Sequence, residues 1–284
     1  MNPDRAEFRR PAHRGGVELY RARIVRHAFE PHTHQAFGLG AIEQGVERFR
    51  YRGGEHLAPA DSLVLMNPDE LHTGRAETEG GWCYRMVYLD ADVVEALSGE
   101  RGWSFAAAVA EDRAAARRVG TLLQGLWDVA DDPLAFDSGL LHLIEALRPH
   151  ARVGRAAARE GTPRFDAVFE LMHARLAERL TLDDLAAAAG LSPFHFLRAF
   201  KAAHGATPRE ALMALRLFDA KQRLAAGEAP ADVAAASGLA DQAHLTRAFA
   251  SRYGVTPGRY RAQVAPGATR WRDAQLGPLA KGWT

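Results

Sequence analysis

Two hydrophobic rhythms divide the chain. Between about residues 17 and 90, apolar positions come in short alternating or clustered runs such as Phe37-Gly38-Leu39-Gly40-Ala41-Ile42, Val46-Glu47-Arg48-Phe49-Arg50-Tyr51 and Ser62-Leu63-Val64-Leu65-Met66. Gly45, Gly53-Gly54, Asn67-Pro68 and Gly80-Gly81 punctuate them. Short strands at regular spacing with turn residues between them predict a small barrel or sandwich. Near residue 91 the period lengthens. Ala91–Leu97, Glu111–Asp128 and Pro133–Leu147 carry apolar residues at helical spacing, and Pro133 sits where a helix start tolerates a missing N–H. Leu140, Leu141, Ile144 and Leu147 form an apolar stripe that either covers the barrel or pairs with a second subunit. Pro149–Pro163, with Gly154 and Gly161, reads as a linker. From Arg164 to about Val264 nearly everything reads as helix. The last residues, with Pro266, Gly267, Gly277 and Pro278, read as a loose tail that Trp271 anchors in part. The expected divisions are 1–148, 149–163, 164–264 and 265–284, an α+β chain with an N-terminal barrel and a C-terminal all-α domain.

The helical part contains a repeat. Leu185-Ala-Ala-Ala-Ala-Gly190-Leu191-Ser192-Pro-Phe-His-Phe196-Leu-Arg198-Ala-Phe200, followed by Gly205-Ala-Thr207-Pro208, is echoed by a second run. That run is Val233-Ala-Ala-Ala-Ser-Gly238-Leu239-Ala-Asp-Gln-Ala-His-Leu245-Thr-Arg247-Ala-Phe249, followed by Gly254-Val-Thr256-Pro257. The glycines are 48 residues apart and the Arg-Ala-Phe triplets 49, so the second copy has one extra residue after its turn. Each copy reads as a helix-turn-helix. Thr181 caps the first helix with Asp183 and Asp184 in its opening turn, and Pro230 opens the equivalent helix of the second copy. Gly190 and Gly238 supply the positive φ that a tight turn demands. Ser192 and Asp241 cap the second helices. There Phe196, Ala199 and Phe200, and likewise Leu245, Ala248 and Phe249, fall at i, i+3, i+4 and face the core. Phe194, Leu197, Arg198 and Lys201 are left outward on one helix. Gln242, Ala243, Thr246 and Arg247 are outward on the other, with His244 beside them.

Outward arginine and glutamine on a helix that follows a tight turn match what a major groove offers. Arginine can pair with guanine and glutamine with adenine through two hydrogen bonds each. A single helix from Thr207 to Ala226 joins the two units, and about 20 residues at about 1.5 Å each span roughly 30 Å. That is near the roughly 34 Å between successive major-groove faces. Charge agrees in sign. The whole chain has a formal net charge of +1, but residues 1–162 carry net −4, residues 163–263 net +3 and the tail net +2. The chain has a single cysteine, Cys83, so an internal disulfide is excluded. The polar, arginine-rich start has no apolar stretch of a secretory signal, and no run is long enough to span a bilayer. A cytoplasmic location without membrane attachment is expected.

These residues carry a resemblance. The Ser-Pro-x-His-x-x-Arg-x-Phe-Lys run from Ser192, the Gly-x-x-Asp-Gln-x-x-x-x-Arg-x-Phe run from Gly238 and the Gly-Val-Thr-Pro-Gly-Arg-Tyr-Arg run from Gly254 resemble the DNA-binding domain of AraC/XylS regulators over about residues 165–262. The resemblance implies binding to double-stranded DNA and activation or repression of nearby promoters, with RNA polymerase as a further partner where activation is the mode. Homodimerisation is also expected. The family's base-contacting positions fall on Phe194, Leu197 and Arg198, and on Gln242, Ala243, His244, Thr246 and Arg247. Leu197 replaces a position often polar in the family, and Leu239 one that is often Phe.

The barrel region resembles the cupin-like sensor domain that precedes such DNA-binding domains. Pro31-His32-Thr33-His34 opens it, and His72 follows the turn at Asn67-Pro68-Asp69-Glu70. Alternation puts His32 and His34 on one face. Three uses stand open for these histidines: lining an effector pocket, capping strands at the barrel mouth, or holding a metal. Metal-dependent cupin enzymes carry a glutamate a few residues after the second histidine, whereas here the first one is Glu43. That spacing argues against a metal, so no cofactor is assigned, and His32, His34 and His72 are the candidates if one is bound. The expected effector site comprises His32, His34, Glu43, Tyr51, His72, Trp82 and Tyr84, with Met66 and Arg85 also nearby. Overall the sequence predicts a non-enzymatic transcriptional regulator controlled by a small molecule in the barrel. The alternatives are a metal-dependent cupin enzyme with an accessory DNA-binding module, and a constitutive DNA-binding regulator whose barrel only dimerises.

Overall fold

The computed structural model describes residues 4–154 and 165–265. Most of the expected linker and the tail with Trp271 lie outside the described residues.

Nine strands build the N-terminal unit: β1 (Arg5–Arg9), β2 (Val17–Ile24), β3 (Ala28–His32), β4 (Phe37–Tyr51), β5 (Gly54–Pro59), β6 (Leu63–Met66), β7 (His72–Ala76), β8 (Trp82–Leu89) and β9 (Val109–Ala110). One layer runs β1-β2-β8-β4-β6-β9, while β3 pairs with β7, and β7 and β5 pair with β4, all antiparallel. The long strand β4 belongs to both layers. Its first half pairs with β6 and β8, its second half with β5 and β7. A bulge between Ile42 and Gln44, followed by Gly45 at φ 74°, bends it from one layer into the other. Strand β1 lies in a stretch that reads as polar. Its Ala6 and Phe8 are buried between Arg5, Glu7 and Arg9, a short alternation that the high arginine content conceals.

The first layer is buried on both faces, which explains its nearly continuous apolar runs. Its outer face, with Val17, Leu19, Leu39, Leu65, Val87 and Leu89, is covered by α1 (Ala91–Ser98), α2 (Arg113–Asp128) and α3 (Pro133–Leu147). Leu140, Ile144 and Leu147 take the covering role, whereas Leu141 stays exposed along with Leu134. The chain then passes through a 3-10 turn at Arg148–His150, and Arg152 bridges to Ser104, so the first residues of the expected linker are tied to the barrel.

Among the described residues seven helices follow: α4 (Asp166–Ala174), α5 (Leu182–Ala188), α6 (Pro193–His204), α7 (Pro208–Ala225), α8 (Pro230–Ala236), α9 (Gln242–Tyr253) and α10 (Pro257–Val264). Side chains cap several of these starts, although Ser192, expected to cap α6, accepts no such hydrogen bond and Pro193 opens that helix instead. Thr181 and Thr207 close reciprocal capping boxes with Asp184 and Glu210, and Asp241 accepts from the His244 N–H. The turns α5–α6 and α8–α9 pass through Gly190 at φ 66° and Gly238 at φ 69°, a region that side chains disfavour. Helix α7, of 18 residues, is about 27 Å long and joins the two helix-turn-helix units.

The two units differ in where their cores lie. The first has its own cluster around Phe165, Met172, Leu185, Phe196, Phe200 and Leu215. The second shares one continuous cluster with the barrel interior, from Phe8, Tyr20, Phe49 and Trp82 to Leu224, Leu245, Phe249 and Tyr260.

Candidate effector cavity and nucleic-acid interface

Helices α6 and α9 present the residues expected to meet DNA. Phe194, Leu197, Arg198 and Lys201 are exposed on α6, with Phe194 exposed by 66% and Leu197 by 37%. The Arg198 guanidinium sits 5.6 Å from the Phe194 ring centre. On α9, Gln242, Ala243 and Arg247 are exposed, while His244 and Thr246 are half-buried. Their polar atoms are partly engaged locally: His244 Nδ1 accepts from the Ala240 N–H at 3.4 Å, and the Thr246 hydroxyl donates to the Gln242 carbonyl at 2.8 Å. The opposite faces bury Phe196 and Phe200, and Leu245 and Phe249. Among the described residues no carboxylate pairs with Arg198 or Arg247, so both guanidiniums are available to phosphate or base edges.

The inward end of α9 meets the barrel. Arg252, 5% exposed, donates from Nε to the Pro31 carbonyl at 3.0 Å and from Nη1 to Glu30 at 2.8 Å. Beside it Tyr253 closes a narrow cavity of about 30 Å³, lined from the barrel by Phe8, Tyr20, His32, His34, Glu47 and His72 among others. That is enough to hold at least one water. Strand β8 contributes Tyr84, Met86 and Tyr88.

Of the seven residues expected at an effector site, His32, His34, His72 and Tyr84 line this cavity, and Met66 joins them. Glu43, Tyr51 and Trp82 do not. Glu43 points to the barrel's outer face, where it pairs with Arg85 and lies near Gly120 of α2. Tyr51 is buried in the interior, but its hydroxyl accepts from the Asn67 backbone N–H at 2.9 Å, under the β6–β7 turn. Trp82 packs against Phe29 and Tyr84 as core. The bulge in β4 explains the first correction. An extra residue after Ile42 reverses the in–out alternation, so Glu43 faces out and Glu47 faces in.

Burial sets the charge state of the cavity. It raises the Glu47 carboxyl to about 8, so this side chain is a neutral acid at pH 7. Burial, with neighbouring His72, holds His32 well below its ordinary value, and burial with His32 does the same to His34. Burial takes His72 down to about 4 against the opposing pull of the Glu70 carbonyl. The three imidazoles are therefore neutral.

Next to the cavity a buried ion pair joins the two units. Lys221 of α7 contacts Glu18 of β2, although the two are 203 residues apart. Glu18 also accepts from Arg10 at 2.8 Å and from the Tyr260 hydroxyl at 2.6 Å. Burial alone would raise the Glu18 carboxyl, but Lys221 and Arg10 outweigh it and hold it at about 2. The Lys221 ammonium is boxed by the rings of Phe8 and Tyr88 from the barrel and Tyr253 and Tyr260 from the helical unit, at 4.9 to 5.4 Å. Sequence reasoning missed Glu18, Glu47, Lys221, Arg252 and Tyr253. One signal was present: aligning the repeats places Arg252 and Tyr253 where the first copy has Ala203 and His204, an asymmetry between otherwise matching helices.

Residues 14–147 match the family described as AraC-like ligand binding domain, and residues 185–263 match a helix-turn-helix domain. A transcriptional regulator of Bacillus subtilis, YbfI, whose own function is uncharacterised, is 27% identical over 235 residues, 81% of this chain and 86% of that protein. The MmsAB operon regulatory protein of Pseudomonas aeruginosa is 36% identical over 110 residues, but the match covers 36% of that protein. Among solved structures, ToxT of Vibrio cholerae bound to an unsaturated fatty acid superposes with a TM-score of 0.57 at 12% identity, covering 93% of this chain and 98% of that one. Its fold is the same.

Proposed function

The chain belongs to the AraC family of transcriptional regulators, and from that premise we propose that a small organic molecule entering the cavity at the barrel–α9 boundary controls how α6 and α9 meet DNA. The observation that carries this reading is that α9 has two faces in use. Its outward residues Gln242, Ala243 and Arg247 point to solvent, while its last residues, Arg252 and Tyr253, line the cavity. A cavity of about 30 Å³ takes an organic molecule in full only if one of its walls moves. What closes it on one side is α9, held by the Arg252–Glu30 pair. An effector would thus bind the state with α9 moved and the closed state differently, which is the condition for shifting an equilibrium. ToxT, with the same fold, binds a fatty acid, and a ligand with a polar head and an apolar body suits a cavity of neutral histidines, methionines and aromatic rings.

In this reading the chain is a cytoplasmic regulator and not an enzyme. It acts as a homodimer through the outward face of α3, where Leu134 and Leu141 are exposed, and it engages RNA polymerase when it activates.

The reading is tested by gel shift on DNA from upstream of the regulator's own and adjacent genes. Arg198→Ala and Arg247→Ala are each expected to weaken specific binding by about 1–3 kcal/mol, a factor of about 5 to 150, if each arginine makes a paired contact to a base. Wild-type affinity in both variants would refute the assignment.

A further inference from the structure

Strand β4 carries one acid into the barrel interior. Glu47 follows the bulge that reverses the strand's alternation, lines the cavity and is 5% exposed. Its neighbours across the sheet are Ala58 on β5 and Ala76 on β7, and a Cβ at Gly74 would lie 2.8 Å from Glu47 Oε1. Small residues thus leave the carboxyl space but no partner. Among the described residues it has no hydrogen bond or ion pair, and burial alone shifts it. Buried polar groups are costly to leave unpaired, so an unpaired carboxyl facing a cavity points to something that enters it. The other unused polar atoms of the cavity also accept. His32 Nδ1 lies 2.8 Å from the Glu30 carbonyl, and His72 Nδ1 lies 3.0 Å from the Glu70 carbonyl. A carbonyl oxygen only accepts, so Nδ1 carries the proton in both rings and Nε2 keeps its lone pair. Neither ring nitrogen of His34 has a hydrogen-bond partner, and the Tyr253 hydroxyl has none either. The strong donors are already engaged: Arg252 with Glu30 and the Pro31 carbonyl, Lys221 with Glu18. A carboxylate ligand would have to break one of these pairs, whereas a ligand that donates would not.

We propose that the effector is an organic amine whose ammonium group is held by the Glu47 carboxyl, an inference that rests on the cavity being the effector site. An ammonium carries three donors and no acceptor, which matches a cavity whose unused polar atoms accept. The walls suit positive charge. The rings of Phe8, Tyr88 and Tyr253 already lie 4.9 to 5.1 Å from the Lys221 ammonium, and Tyr20 and Tyr84 line the same cavity. Met66 and Met86 offer soft contact to the ligand's apolar part. The two nearby cations do not repel a second ammonium as bare charges, because Lys221 is paired with Glu18 and Arg252 with Glu30. With its carboxyl raised to about 8, Glu47 is protonated at pH 7 before the amine arrives. An adjacent ammonium favours the ionised form, so the Glu47 proton passes to solvent, and the carboxylate–ammonium pair is net neutral as the empty cavity was. The groups around it keep their protonation states. Burial holds Tyr20, Tyr84, Tyr88 and Tyr253 above the ordinary tyrosine value, and holds the three histidines below theirs.

Calorimetric titration of the full-length protein with n-butylamine and benzylamine, each beside the alcohol and the carboxylate of the same carbon skeleton, tests this. The amines are expected to saturate at one per chain and to bind more tightly than their alcohols and carboxylates. At pH 7 the dependence of the binding enthalpy on the ionisation enthalpy of the buffer should report close to one proton released per amine, a readout that needs no variant. Glu47→Gln keeps the side chain's shape and should weaken amine binding by about thirtyfold or more, while leaving the alcohols unchanged. Glu47→Asp, which sets the carboxyl back by one methylene, should keep the preference for amines. Alcohols or carboxylates that bind as tightly as the amines, equal amine affinity in wild type and Glu47→Gln, or amine binding without proton release would overturn the ammonium assignment while leaving an organic effector in the cavity standing. No saturable binding of either amine would overturn it as well. None of these titrations contains DNA, so the roles of Arg198 and Arg247 stand or fall on the gel shift alone.

Discussion

Glu18 and Glu47 are both buried carboxyls, and their surroundings drive them in opposite directions. Glu18, held at about 2 by Lys221 and Arg10, is charged in the folded state. Its contribution to stability is complete above the unfolded value near 4.5 and is lost as pH falls through about 2. Glu47, raised to about 8 by burial alone, contributes fully below about 4.5 and loses that contribution as pH rises through about 8. Urea midpoints measured from pH 2 to 9 should therefore decline at both ends. Glu18→Gln should flatten the acid limb and Glu47→Gln the alkaline one; limbs unchanged in both variants would contradict these environments. Lys221→Met strands Glu18 with Arg10 and Tyr260, and removing one partner of a buried pair costs about 3–5 kcal/mol. The double variant with Glu18→Gln should cost less than the sum of the singles. At this scale the sequence was legible where a single helix decides exposure, as for Arg198 and Arg247. It was not legible where a bulge reverses alternation, as at Glu43 and Glu47, or where a partner lies 203 residues away, as for Glu18.

The helices were legible because their signals are local: Thr181, Thr207 and Asp241 at the starts, Gly190 and Gly238 at the turns, and phenylalanine or leucine every third or fourth residue between. Only the surroundings separate the two turn glycines. Both hold positive φ, which costs a side chain about 1–2 kcal/mol. A Cβ at Gly190 would meet nothing within 4 Å, whereas one at Gly238 would lie 2.8 Å from the Ala177 backbone. Gly190→Ala should thus lower stability by about 1–2 kcal/mol and Gly238→Ala by clearly more, as read from thermal or urea melts. Equal losses would mean that the second turn does not press on the segment between α4 and α5. Among the strands, β1 escaped notice because its alternation is five residues long and three of them are charged.

At the scale of the whole molecule, two domains with separate cores were the natural expectation, and sequence patterning cannot reveal that one core crosses the boundary. The second helix-turn-helix unit and the barrel interior form one apolar cluster, while the first unit keeps its own. Cooperative unfolding follows shared burial. Amide hydrogen exchange should therefore show α8–α10 protected together with β2 and β8, and α4–α6 opening at lower free energy. Protection that instead groups α4–α10 as one block would contradict this partition.

Helix α9 ends among the groups that line the cavity, and this bears on engineering by domain exchange. A hybrid that takes its barrel from this chain and its C-terminal part from a relative would leave Arg252 and Tyr253 behind. Such a hybrid would inherit a cavity missing one wall, and under the proposed function its choice of effector would follow the donor of the DNA-binding half as well as the donor of the barrel.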